Sequence, residues 1–191
     1  MARRKDHTRV ELTELAIDCG REIVVSEGPT ALTARNVAAR MGYTPGTLYN
    51  LFENIEALII EINIETLNLF AKQLKKITGN TQDPKMRISR IAQAFLDLQN
   101  DEPALWELLF ATPLQAKSEK YHEAIHRVFD PAVQTLLPLT GNEEEARRDA
   151  KILWATLHGI CHLKQSGKLD VSEADTPEVL VKQFLSRFLD R

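Results

Sequence analysis

The sequence predicts an all-α fold in which an N-terminal three-helix unit with a helix-turn-helix precedes a C-terminal helical bundle. Apolar residues recur at intervals of three and four positions along most of the 191 residues, which is the spacing of one helix face. Glycine, proline, asparagine and aspartate cluster at the breaks between these segments, and no stretch alternates convincingly enough to predict a strand. The pattern divides the chain into about nine helices.

The composition is typical of a soluble globular protein with a sizeable core, and we expect it in the cytoplasm. Apolar residues make up 43% of the chain, and a net charge of −3 excludes a broadly basic nucleic-acid coat. The N-terminus MARRKDHTR lacks the apolar core of a signal peptide, and no apolar run is long enough to span a membrane. Cys19 and Cys161 lie far apart in helical patterns, which predicts buried, reduced thiols. We expect no cofactor and no membrane partner.

The first predicted helix covers about residues 9–26 and supplies an apolar floor for the next two helices. It ends at Glu27-Gly28-Pro29, where glycine and proline stop a helix. Before it, Arg3, Arg4 and Lys5 form a basic segment that is either a solvated terminus or an arm reaching DNA phosphates.

Residues 33–52 are predicted to form two short helices joined by a tight turn. Thr33 is a good N-cap, and Gly42 stands where a helix ends in the left-handed conformation that glycine adopts without steric cost. Thr44 can cap the second helix, and Pro45 suits its first position because no amide donor is needed there. The helices bear apolar stripes, formed by Val37 and Met41 in the first and Leu48, Leu51 and Phe52 in the second. Helices this short require flanking partners to be stable.

The outward side of this hairpin has the chemistry of a DNA-binding surface. Its residues are small or hydrogen-bonding: Thr44, Gly46, Thr47, Tyr49 and Asn50. The 25 residues between Glu27 and Glu53 contain no acid, although the chain has 27 acids, and they carry Arg35 and Arg40. Absence of carboxylates where phosphates must approach is electrostatically favourable. The alternative is an ordinary surface hairpin, or an adaptor that binds another protein.

A long fourth helix, about 54–78 with Asn54 as its cap, follows the hairpin. Its apolar residues occupy more than one side, so we expect it to serve both the hairpin and the C-terminal body. The body is predicted to contain helices near 84–100, 103–112, 117–136, 143–166 and 176–190, with breaks at prolines and glycines that include Pro138 to Asn142. The domain boundary is placed between a DNA-binding domain, 1–53, and a ligand-binding and dimerisation domain, 54–191.

The predicted helix 143–166 has two apolar faces, which indicates burial on two sides. Its broad face holds Ala146, Ala150, Leu153, Trp154, Leu157 and Cys161, and its narrow face holds Ile152, Ala155, Gly159 and Leu163. One face can pack on the protein's own body and the other on a second copy of the chain.

Two histidine groups offer an alternative function as an all-α metal-binding protein or enzyme. His122 and His126 are four apart, and His158, Cys161 and His162 lie at spacings of three and four on one helix. On a helical wheel, however, His158 and His162 share a strip with cationic residues, which disfavours a cation site. We therefore predict no catalytic residue and no metal.

Several large side chains of the body are either core residues or the lining of an apolar ligand cavity. These candidates for an effector pocket are Phe95, Trp106, Phe110, Phe129, Trp154 and His158. No cluster of charges in the body indicates a strongly ionic ligand.

Residues 9–62 carry a specific series of motifs. These are Glu27-Gly28, Thr33 before Val37-Ala38, Gly42-Tyr43-Thr44, Pro45-Gly46-Thr47-Leu48-Tyr49, Phe52 and Glu56-Ala57-Leu58. In order and spacing they resemble the DNA-binding domain of the TetR family of transcriptional regulators. The run from Trp154 to Gly159 also resembles the WHG type of C-terminal domain found in a subset of these regulators.

The resemblance implies a homodimeric repressor that leaves a palindromic double-stranded operator when a small, largely apolar effector binds. It implies DNA contacts from Thr33, Arg35, Thr44, Pro45, Gly46, Thr47, Tyr49 and Asn50, and dimerisation through helices 143–166 and 176–190. One position departs from the family pattern: Ile55 stands where similar proteins usually carry a lysine that reaches a phosphate.

Overall fold

The computed structural model describes residues 7–112, 118–170 and 174–190, and these residues form nine α-helices and no strand. The helices are α1 (Arg9–Glu27), α2 (Ala34–Met41), α3 (Pro45–Leu51), α4 (Ile55–Thr78), α5 (Pro84–Asp101), α6 (Pro103–Ala111), α7 (Glu119–Thr140), α8 (Glu143–Gln165) and α9 (Pro177–Phe188), with a short 3-10 helix, Pro29–Ala31, after α1. The all-α prediction and the helix-turn-helix at α2 and α3 are confirmed.

The chain divides into two compact units. The first contains Met1–Thr66 and Glu102–His122, and the second contains Leu67–Asp101 and Glu123–Arg191. The first unit therefore includes α6 as well as the N-terminal helices. The functional boundary between residues 53 and 54 stays a prediction.

Capping explains where several helices begin. The hydroxyl of Thr33 accepts a hydrogen bond from the Asn36 amide at 3.2 Å, and Gly42 ends α2 with φ 78° and ψ 25°, as predicted. The Asn54 side chain accepts from the Ala57 amide at 2.8 Å at the start of α4. Thr44 occupies the N-cap position of α3, but its side chain makes no capping bond, because its hydroxyl lies beside that of Thr47 at 3.5 Å.

Helix α7 corrects one sequence prediction. The break expected at Pro138 comes later, because the helix continues to Thr140 with Pro131 and Pro138 inside it. Each proline gives up one backbone hydrogen bond. The last turn is closed beyond Pro138, where the Gly141 amide donates to the Leu137 carbonyl at 3.0 Å and the Thr140 hydroxyl donates to the Leu136 carbonyl at 3.3 Å. The chain then leaves the helix at Gly141, which has φ 80°.

The core of the first unit joins α1, α2, α3, α4 and α6. Its buried members are Ala16, Cys19, Ile23, Val24, Leu32, Val37, Met41, Leu48, Phe52, Leu58, Ile62, Leu105 and Leu108. The last two come from α6, which contacts both α1 and the 3-10 helix. The two helices of the hairpin, α2 and α3, are therefore stabilised by a core much larger than their own apolar stripes.

In the second unit, α5, α8 and α9 pack pairwise against one another. The buried face of α8 consists of Ala146, Ala150, Leu153, Leu157 and Cys161. The rings of Phe70 and Phe95 meet edge to face, with centroids 6.5 Å apart.

Candidate nucleic-acid interface

Helix α3 is anchored by its apolar side and presents an uncharged polar side outward. Leu48 and the following Phe52 are buried in the core of the first unit. On the other side, Tyr49 is 57% exposed, and the predicted contact residues Thr44, Pro45, Gly46 and Asn50 are also exposed, whereas Thr47 is half-buried. The anchoring allows the outward side chains to be replaced without loss of core contacts.

Helix α2 carries two exposed arginines, Arg35 and Arg40, which differ in their ion pairs. Arg35 is exposed and makes no ion pair with any described residue. The Thr33 hydroxyl accepts the Asn36 amide, so its own proton is left for a second acceptor such as a phosphate oxygen. Arg40, the other cation of the acid-free stretch, is instead paired with two carboxylates, 2.6 Å from Glu27 and 3.6 Å from Glu22.

The start of α1 is fixed by a capping box that the sequence reasoning missed. The Glu11 amide donates to the Thr8 hydroxyl at 3.3 Å, and the Thr8 amide donates to the Glu11 carboxylate at 2.7 Å. The bond from the Thr8 amide, and then a bond from the Thr8 hydroxyl to the same carboxylate at 3.0 Å, hold the pKa of Glu11 below its usual value. The Thr-x-x-Glu spacing was the signal that could have revealed it. The predicted basic arm at residues 3–5 lies outside the described residues.

Ile55 has a structural role that accounts for its departure from the family pattern. It is the first residue of α4 and packs, partly buried, against the core of the first unit. Its side chain therefore contributes apolar contacts where a lysine would extend toward a phosphate.

We expect Ile55→Lys to add one phosphate contact. The aliphatic part of the lysine can cover the same core surface while its ammonium group reaches solvent at the N-terminus of α4. The plot of log affinity for duplex DNA against log salt concentration should steepen by about one unit of slope. Ile55→Met is the uncharged control. An unchanged slope for the lysine variant would contradict the assignment.

The six effector-pocket candidates fall in different parts of the chain. Trp106 and Phe110 belong to the first unit, with ring centroids 4.7 Å apart, and Trp106 is buried. Phe95, Phe129, Trp154 and His158 belong to the second unit. A surface cavity of about 420 Å³ lies along α8 and α9, and another of about 600 Å³ lies along α1. None of the six effector-pocket candidates lines either cavity. The role of these residues in an effector pocket stays a prediction.

Trp154 departs from its predicted place on the buried face of α8. It is 43% exposed, and its ring stacks on that of His158 at a centroid distance of 5.7 Å. It lies at the edge of the apolar face, and the smaller Leu153 and Leu157 fill the interior next to it. The narrow apolar face of the same helix is also open, since Ile152 and Leu163 are both exposed.

The histidine groups do not belong to a cluster of metal ligands among the residues that the structure describes. No group of three or more histidine, cysteine, aspartate or glutamate side chains there could hold a metal ion. His158 and His162 stack with centroids 6.1 Å apart, and burial, followed by the charge of His162, lowers the pKa of His158. Burial also raises the pKa of the Cys161 thiol to about 11, so the reactive thiolate is disfavoured.

The second histidine pair is engaged in local contacts along α7. His122 contacts the Ser118 carbonyl through Nδ1 at 3.0 Å, and His126 contacts the Asp130 carboxylate at 3.3 Å. Asp130 also pairs with Arg147 at 3.5 Å. These contacts lie on the surface and do not converge on one point as metal ligands would. Within the described ranges, no helix is long and apolar enough to cross a membrane.

The described part of the chain is all-α and contains a helix-turn-helix whose second helix is exposed and uncharged on its outward side, and the family comparison specifies the class of protein. Residues 16–62 match the bacterial regulatory proteins of the tetR family, and residues 88–188 match the tetracyclin repressor-like C-terminal domain. The chain therefore belongs to the TetR family of transcriptional regulators. No curated protein matches the sequence.

Solved structures share the fold over almost the whole chain. A protein of unknown function from Rhodococcus sp. RHA1 is 18% identical with a TM-score of 0.79, covering 98% of this chain and 97% of that one. FadR from Bacillus subtilis, in complex with stearoyl-CoA, is 15% identical with a TM-score of 0.71, covering 93% and 97%. A possible TetR family regulator from Streptomyces coelicolor A3(2) is 17% identical with a TM-score of 0.70, covering 93% and 97%. At these identities the likeness concerns the fold.

Proposed function

We propose that the protein is a homodimeric repressor that binds a palindromic operator through α3 of each protomer and is released by a small, largely apolar effector. The observation that carries the proposal is the side of α3 that faces outward: it is exposed, hydrogen-bonding and free of acids, on a helix anchored by buried Leu48. Such a surface can approach base edges and phosphates without charge repulsion. The protein acts by binding DNA rather than by catalysis.

Within this proposal, residues 1–53 read DNA and residues 54–191 bind the effector and dimerise. Tyr49, Asn50, Thr47 and the residues at the start of α3 contact base edges and phosphates. Arg35 and Thr33 hold phosphates from the preceding helix, where the arginine is exposed and the threonine hydroxyl retains a proton to donate.

Dimerisation through α8 and α9 is supported by apolar surface that the protomer leaves open. Ile152 and Leu163 of α8 are exposed on its narrow face, and the surface cavity of about 420 Å³ brings Ile152 together with Phe184 and Phe188 of α9. An added Cβ at Gly159, on the same face, would meet no atom of the protomer within 4 Å. Two copies related by a twofold axis could bury these surfaces together.

Release by an effector requires that the ligand bind a conformation in which the two recognition helices no longer fit the operator. The effector must bind that conformation more tightly than the DNA-bound one. Within the first unit, α6 supports such a link because Leu105 and Leu108 belong to the same core as α1, α2 and α3. A displacement of α6 would therefore require the hairpin core to repack.

The salt dependence of DNA affinity tests the repressor against the adaptor. A repressor that contacts several phosphates should lose affinity for duplex DNA steeply as salt rises, by about 10³-fold or more between 50 and 200 mM for six or more contacts. An adaptor that binds another protein predicts no salt-dependent duplex affinity. Absence of binding at low salt would overturn the proposal.

We expect Tyr49→Ala to weaken operator binding by about tenfold or more, because one good base contact contributes about 1–3 kcal/mol. The side chain is mostly exposed, so the melting temperature should hardly change. Titration of a fluorescent duplex at fixed salt measures the loss. Leu139→Ala, at an exposed position of α7, is the control. Wild-type affinity in the tyrosine variant would remove Tyr49 from the interface.

A further inference from the structure

We infer that Arg40 is a positioning residue that fixes the helix-turn-helix on α1, and that it does not contact DNA phosphates. Its guanidinium group lies 2.6 Å from a carboxylate oxygen of Glu27 and 3.6 Å from one of Glu22. The inference rests on the proposed DNA binding by α3 and deepens it, because it separates the two cations of the acid-free stretch into different roles.

The location of this ion-pair cluster suits a positioning role. Glu27 is the last residue of α1, and Arg40 lies in the last turn of α2, directly before the turn at Gly42 that leads to α3. The amides of Gly42 and Tyr43 donate to carbonyls in the last turn of α2. The last turn of α2 therefore sets the direction in which the chain continues into α3. The cluster therefore ties the turn between α2 and α3 to the end of α1.

The electrostatics of α1 favour the same conclusion. The last turn of α1 contains no basic residue and ends in an acid, an unfavourable arrangement because the helix dipole places partial negative charge there. Arg40 supplies the missing cation from α2. A phosphate that approached Arg40 would also be repelled by the two nearby carboxylates, so the ion pairs weaken any attraction between Arg40 and DNA. Arg35 has no such competitor among the described residues.

Glu27→Gln should change DNA affinity in opposite directions depending on whether Arg40 positions the hairpin or contacts a phosphate. Removing a carboxylate near DNA ordinarily strengthens binding, and Glu27→Gln would also release Arg40 toward phosphate if that were its target. If Arg40 positions the hairpin, Glu27→Gln should instead weaken binding, by about two- to fivefold, which corresponds to the contribution of an exposed ion pair. Glu14→Gln removes an exposed acid from the same helix and should not weaken binding.

The experiment uses the full-length protein and a duplex enriched from a random pool, with affinity measured across a salt series below the melting temperature. Arg40→Gln should weaken binding with an unchanged salt slope, whereas Arg35→Gln should lower the slope by about one. The exchange variant Arg40→Glu with Glu27→Arg should recover most of the affinity that either single change loses. Circular dichroism establishes that each variant is folded.

The inference would be overturned by tighter or unchanged binding of Glu27→Gln, or by a reduced salt slope for Arg40→Gln. It would also be overturned by an exchange variant that binds no better than its weaker parent. Finally, it would be overturned if Arg40→Gln had a lowered melting temperature but wild-type affinity. The last result would assign the cluster to stability alone. Failure of the proposed function is distinguishable, because the wild-type protein would then enrich no duplex.

Discussion

Replacing Leu105 by alanine should lower the free energy of unfolding by about 2–5 kcal/mol, the cost of a large cavity in a packed core. Leu105 is 1% exposed and lies on α6, yet its neighbours belong to the core that holds α1, α2 and α3. The loss of α6 packing should therefore destabilise the DNA-binding helices themselves. Operator binding should disappear in the same thermal transition as helical circular dichroism.

Chemical denaturation measures this effect, with Leu69→Ala as the matched control. Leu69 lies on α4 and is exposed, so its truncation should change stability by no more than about 0.5 kcal/mol. Equal stabilities for the two variants would show that α6 does not contribute to the core of the first unit.

Introducing a carboxylate at Ile152 should abolish the dimer and reduce operator affinity by about a hundredfold or more. Ile152 is 46% exposed in the protomer and lies on the apolar face of α8 that we propose to pair with a second copy. Ile152→Glu would place a carboxylate in this apolar contact, and the cost of removing it from water opposes association. Two hairpins that are no longer joined lose the avidity of simultaneous binding to both half-sites.

Analytical ultracentrifugation measures the oligomeric state, and titration of the enriched duplex measures the affinity. Leu139→Glu is the control, because Leu139 is 43% exposed on α7, outside the proposed dimer helices. A dimeric Ile152→Glu protein with full operator affinity would exclude this face of α8 from the interface.

Local signals in the sequence account for much of the fold. Caps such as Thr33 and Asn54, the left-handed Gly42 and the spacing of apolar residues are contacts within a few positions, so they are visible in the chain itself. The predicted end of α7 is wrong because Gly141 and Thr140 donate hydrogen bonds to the carbonyls of Leu137 and Leu136, which closes a further turn beyond Pro138. A proline within a helical pattern therefore does not by itself determine where the helix ends.

Two features that the sequence does not reveal depend on contacts between different helices. The packing of Leu105 and Leu108 against α1 joins positions about eighty residues apart, and the spacing of apolar residues along the chain does not predict such a contact. The ion pairs of Arg40 are not visible in the spacing of the sequence, because its two acidic partners lie on α1, outside the acid-free stretch. Trp154 was assigned to a buried face because a helical wheel gives the direction of a side chain and not the space available for it.

The most direct test of the account is a selection of bound sequences from random duplex DNA by the purified, full-length protein. A dimer that presents two copies of α3 predicts an inverted repeat whose half-site centres lie one helical turn, about 34–36 Å, apart. Enrichment of a single unsymmetrical site, or of no sequence above background, would contradict a dimeric regulator that reads DNA through α3.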